Sequence, residues 1–357
     1  MHILVYDTIA LLQPIFTLRA RPKEVFAQAQ EPIFGQHGLN SLMPLERHSL
    51  ERMLGGYPVM QAVKQDGYDV MVGQQAWGLF DPGRSKDASE WQFSQFLARH
   101  VLETLRTSLH TCAEILPSPA ALAHIECLLL PADPTNQNLM VMNHGLSGFA
   151  GLPGYLFLQL WPGTGNLARL GPALARLYLH NLRWALTPTT QTITLGDMLV
   201  LEGLSAAFIT TMFPDIPSPW LVSIRQPDDW QETLSHVARL HGVNSYDEIK
   251  CNIYGMQFLI GDAPRPPTAQ PLEPDELEYV RDLIDRALTT TDARLIAAYL
   301  YGDELTALQG HPTVGLPPYA GFEFGYHLVQ AYLQQSGQSL AEAIATPSQE
   351  ILAWQAT

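Results

Sequence analysis

The chain has 357 residues, 46% of them apolar, which is enough to bury a large core and to form one large domain or two. Its 20 Lys and Arg stand against 35 Asp and Glu, and a net charge of −15 repels phosphate backbones and anionic membrane surfaces, so nucleic acid is excluded as a partner class. Cys112, Cys127 and Cys251 are scattered and form no C-x-x-C pair; they read as ordinary buried thiols, not as a disulfide framework or a cysteine metal site.

The first few residues, 2–6, predict a short strand, and the chain to about 118 reads as mainly helical, broken at Gly55-Gly56 and Asp81-Pro82-Gly83. The clearest helix there is 88–109, with Phe93, Phe96, Leu97, Val101, Leu105 and Leu109 at helical spacing. The start has no basic leader, and no continuous apolar stretch is long enough to span a bilayer, so a cytoplasmic protein that avoids membranes is expected. From 125 the period changes. Apolar runs at 125–130, 139–142 and 155–161 predict three strands, and the glycine-rich 145–154 between them reads as a turn.

Two helices follow. The first is bounded by Pro172 and Pro188 and predicted at 172–186; the second, at 195–213, opens on Thr194 with Asp197 three residues on, a variant of the capping box, and stops before Pro214. Arg176, His180 and Arg183 are four and then three apart, so they share one stripe of the first helix. A zinc peptidase of the H-E-x-x-H kind needs this geometry: two histidines one turn apart hold the metal, and the glutamate after the first polarises the bound water. In that frame the chain reads Arg176-Leu177-Tyr178-Leu179-His180, with the second histidine present and the first histidine and the base replaced. Beyond lie a predicted helix at 230–241, whose His236 and His241 are too far apart in angle to chelate, a proline-rich surface linker at 262–274, and helices at 273–288 and 321–334 with a short last one after Thr346-Pro347.

Several separate blocks carry a resemblance. They are Gly145 to Gly154, His180-Asn181-Leu182-Arg183-Trp184, Thr194 to Ala206, Tyr301-Gly302-Asp303-Glu304, and Gly315-Leu316-Pro317-Pro318-Tyr319-Ala320-Gly321 running on to Gly325-Tyr326. In this order they resemble the bacterial predicted zinc-dependent proteases, whose core reads roughly H-E-F-H-H-N-V-R followed by a T-x-G-D-x-L-V-x-E-G-L-A helix. The resemblance implies an α+β, mostly helical fold: a zincin-like core at 121–357, with a small sheet packed on the motif helix, and a helical N-terminal region at 1–120. It also implies that Glu202 stands where the distant glutamate ligand would be, and that Arg176, His180, Arg183 and Glu202 line the cleft, with Tyr326 as a cleft hydroxyl.

The departure falls on the chemistry, at Arg176 and Leu177. His180 and Glu202 remain as residual metal ligands, two where a catalytic zinc takes three, and no cofactor is expected. The reading that needs fewest assumptions is a pseudoprotease, a peptidase fold that binds a protein, peptide or small molecule in the former cleft. Two alternatives stand beside it. One is an active zinc peptidase with His144 as a substitute ligand. The other is a metal-free enzyme using His180 as general base with Arg176 or Arg183 as an anion clamp.

Overall fold

The computed structural model describes residues 1–7, 9–10, 86–120, 122–132, 139, 145–187, 193–216, 271–307 and 310–354. The sequence-level readings on His144, the helix at 230–241 with its two histidines, Cys251 and most of the 262–274 linker lie outside these residues. The fold is α+β: among the described residues, a four-stranded mixed sheet stands with many helices.

In chain order the described elements begin with β1 (His2–Val5), α1 (Lys86–Ala98), α2 (Val101–Ile115), β2 (His124–Pro131), β3 (Leu146–Leu152) and β4 (Tyr155–Leu160). Then come α3 (Thr164–Leu186), α4 (Leu195–Met212), α5 (Pro274–Asp285), α6 (Ala293–Tyr301), α7 (Asp303–Ala307), α8 (Ala320–Ser336), α9 (Leu340–Ala345) and α10 (Ser348–Ala353). The sheet order is β1-β2-β4-β3. β1, β2 and β4 run parallel, and β3 pairs antiparallel with β4. Alternate residues of the parallel strands, Val5, Ile125, Cys127, Leu129, Leu156 and Leu158, are buried in the same apolar cluster as residues of α2 and α3.

Three sequence-level boundaries are corrected. The helix expected at 88–109 is two, α1 and α2, separated at His100, which takes a left-handed conformation (φ 50°, ψ 40°). The apolar positions explain the break. A continuous helix would rotate Val101 about 140° away from Phe96, and the reset at His100 lets both be buried while Leu97 is left 54% exposed. Second, β3 lies within the glycine-rich 145–154 run that was read as a turn; of the strand expected at 139–142 only Leu139 is among the described residues, and it is not in a strand. Glycines break the apolar alternation that marks a strand, and Gly154 (φ 90°) makes the turn into β4. Third, α3 starts at Thr164, so Pro172 sits inside it and not in its first turn. The proline removes one i to i−4 hydrogen bond, that to Ala168, and Ala168 is exposed.

α4 is apolar on every side and runs through the centre. It is the one described helix long and apolar enough to cross a bilayer by length and composition, and most of it is buried in the protein. Its N-terminus carries the capping box: Thr194 Oγ1 accepts from the Asp197 amide at 3.2 Å, and the Thr194 amide donates to Asp197 Oδ2 at 3.0 Å. α8 lies directly on it, because Gly203 of α4 and Gly325 of α8 face each other so closely that a Cβ on Gly203 would stand 2.1 Å from the Gly325 carbonyl oxygen.

Candidate functional site

α3 and α4 cross with one polar cluster between them. Arg176 on α3 forks onto Glu202 of α4, Nε donating to Oε2 at 2.8 Å and Nη2 to Oε1 at 2.5 Å. One turn further along α3, His180 Nε2 stands 3.6 Å from the same Oε1. That is too long for a hydrogen bond, and this buried nitrogen has no hydrogen-bond partner among the described residues. Glu202 and His180 are almost fully buried, and Arg176 keeps about a fifth of its side chain in solvent.

The charges follow from this packing. Burial pushes the Glu202 carboxyl up, but the Arg176 guanidinium and the nearby His180 outweigh it and hold the group down at about 2. Burial lowers the His180 imidazole and the Arg176 charge lowers it further, against an opposing pull from Glu202, so the ring is neutral near pH 7. The result is a closed cation–carboxylate pair beside a neutral histidine.

Leu177 is 3% exposed and turns toward the sheet. A Cβ on Gly148 of β3 would lie 2.6 Å from Leu177 Cδ1, so the side chain fills the space that this glycine leaves open. It brings no proton acceptor to the cluster.

Arg183 does not join the group. It is buried, and its Nη1 donates to the Ile344 and Thr346 carbonyls, both at 2.5 Å, while Nη2 donates to Ser348 Oγ at 3.0 Å. Burial lowers its pKa to about 10, against a partial opposing effect of Asp197. The stripe of three residues on α3 thus serves two purposes, a carboxylate clamp at Arg176 and an anchor for the C-terminal helices at Arg183. Tyr326 is half-buried on α8, with its ring edge-on to His327 at 5.7 Å.

Sequence reasoning passed over Asn181. Fully buried, it accepts from the Gly154 amide at 2.8 Å and donates to the Ala150 and Tyr155 carbonyls, which ties α3 to the β3–β4 hairpin. The signal was available: an amide in a helix otherwise apolar on that side needs partners, and a neighbouring turn supplies them. Arg169 and Asn166, nearly buried in the first turns of α3 and hydrogen-bonded to each other, were also missed.

A catalytic zinc takes three protein ligands and an open position. The cluster offers His180 Nε2 and a carboxylate whose two oxygens both accept from a cation. No group of three His, Cys, Asp or Glu among the described residues is placed to hold a metal. The described residues as they stand do not make a zinc site.

Residues 101–266 and 259–353 match a family model described as Predicted Zn-dependent protease (DUF2268). The uncharacterized protein YjfC of Bacillus subtilis (strain 168) is 24% identical over 298 residues, covering 82% of each chain. No solved structure matches.

Proposed function

The chain belongs to the family of predicted zinc-dependent proteases, and from that premise we propose that it is a degenerate member, a pseudoprotease that binds a protein, peptide or small molecule in the former active-site cleft. One observation carries the reading. Where the metal motif calls for its first histidine, Arg176 is forked onto the glutamate that would be a ligand, and the adjacent base position holds the buried Leu177. Hydrolysis by zinc needs a carboxylate beside the attacking water, and the side chain at 177 has none.

An extended peptide is the ligand form this reading favours. Among the described strands β3 is an edge of the sheet, and one of its residues, Gly148, touches the motif helix; edge strands recruit extended chains through backbone hydrogen bonds. Tyr326 completes the proposed cleft lining. The metal-free alternative, with His180 as base and an arginine as anion clamp, has less support, because Arg176 is engaged with Glu202 and Arg183 with carbonyls. A cytoplasmic setting is part of the proposal and is supported by the burial of α4 in the core and by two free buried cysteines.

The test is incubation of purified protein with an unfolded generic substrate, with and without chelator. No chelator-sensitive cleavage is expected. Cleavage abolished both by chelator and by His180→Ala would sink the reading and restore the active-peptidase alternative.

A further inference from the structure

We propose that the Arg176 guanidinium is the resident cation of the former metal position and the lock that keeps a metal out, while the fold still holds two ligand atoms in chelating register. The inference deepens the functional reading above and rests on it for the identity of the site.

Two ligand atoms of one tetrahedral zinc, each bonded at about 2.0–2.2 Å, stand about 3.3 Å apart. His180 Nε2 and Glu202 Oε1 are separated by 3.6 Å, a few tenths of an ångström wider. A pair held at that spacing by packing alone is costly, because a buried nitrogen without a partner forfeits a hydrogen bond. Relaxing toward Glu202 by half an ångström would recover it, yet Nε2 has no partner among the described residues. The separation is maintained by what fixes each end. Asn181, adjacent to His180, is held by three hydrogen bonds to the hairpin, and Glu202 is adjacent to Gly203, where α4 meets α8 backbone to backbone. Glu202 meanwhile gives both oxygens to Arg176, which neutralises the buried carboxylate as a metal ion would. The guanidinium and a metal therefore compete for the same carboxylate, and at the parent sequence the tethered cation wins because it is always present.

The test titrates cobalt(II) and zinc(II) into the parent, Arg176→His, and Arg176→His with His180→Ala, reading the visible absorption of tetrahedral cobalt and the zinc dependence of the melting curve. Arg176→His removes the lock and supplies a third ligand. It is expected to bind one metal per chain with an affinity gain of about a hundredfold or more over the parent, because the ligand set reaches the three that structural chemistry requires. The added His180→Ala should abolish the cobalt spectrum. Should Arg176→His fail to fold alone, zinc that restores a cooperative melt supports the proposal, and zinc without effect overturns it. A folded Arg176→His that takes up no metal also overturns it, as does parent protein that binds metal with equal affinity through His180. Chelator-sensitive parent cleavage that survives His180→Ala would sink the functional reading and leave this inference standing.

Discussion

Arg176 and Glu202 show why one charge at this site is not exchangeable. Replacing Arg176 by Met keeps the stem and removes the cation, leaving a carboxylate buried with 2% of its side chain exposed; breaking a buried pair in this way costs about 3–5 kcal/mol, and the lower end applies because Arg176 is partly in solvent. Urea denaturation should show that loss at pH 7. The pH dependence has a definite sign. Glu202 is held at about 2 in the folded state, below the ordinary carboxylate value, so the stability it contributes is complete above pH about 4.5 and is lost as pH falls toward 2. His180 acts in the same direction. Its folded value is lowered by burial, so its contribution is complete above about 6.5 and declines below that. Stability should therefore fall on acidification through both windows, and Arg176→Met should flatten the lower one; an unchanged acid limb would mean that the pair does not set the Glu202 ionisation. At this scale four-residue spacing put Arg176 and His180 on one face of α3, while the place of Glu202 opposite them was implied only by the family resemblance. Arg183 was not. Helical spacing gives an angle around the axis but not the neighbour met there, and the carbonyls it finds lie about 160 residues away.

At the level of elements, α4 is placed by glycine contacts more than by side-chain choice. A methyl on Gly203 would stand 2.1 Å from a backbone oxygen of α8, and neither backbone can turn aside as a flexible side chain can. Gly203→Ala should cost about 3 kcal/mol or more, at the upper end of overpacking effects. Gly337→Ala provides the contrast: its φ is 69° but nothing lies within 4 Å of the added carbon, so it should cost only about 1 kcal/mol from the left-handed backbone. Equal losses in denaturation midpoint would remove close packing as the cause. The same contact explains a part of the fold that the sequence concealed. Gly203 and Gly325 sit in helices that the sequence predicts at 195–213 and 321–334, yet glycine in a helix carries no local mark of the partner it approaches. The glycine-rich run before β4 misled for a related reason: turn chemistry and close approach use the same residue, and only pairing with β4 distinguishes a strand from a loop.

Across the whole molecule, the first strand closes onto residues about 120 positions later. Tyr6 of the chain after β1 donates to Glu126 of β2, and His2 to Val5 pair in register with His124 to Cys127. No local pattern announces a parallel partner at that distance, so the strand was predictable but its place at the edge of the sheet, among the described strands, was not. The family match begins at residue 101, yet β1 supplies Val5 to the same apolar cluster as α3 and α4. This architecture makes adjacent positions of one strand respond in opposite ways. Val5 is 4% exposed and faces the helices; Leu4, on the other face, is 38% exposed. Val5→Asp buries an unpaired charge in the shared core and should cost more than about 4 kcal/mol, whereas Leu4→Asp should change stability by under about 1 kcal/mol. Parallel thermal melts of the two variants decide the matter. A large loss for Val5→Asp that also abolishes the cooperative unfolding of the 101–353 portion, seen as loss of near-ultraviolet dichroism from Trp161 and Trp184, would tie the edge strand to the site-bearing helices in a single folding unit. Similar small effects from both substitutions would mean that β1 does not occupy this register and that the sheet carrying the motif helix begins at β2.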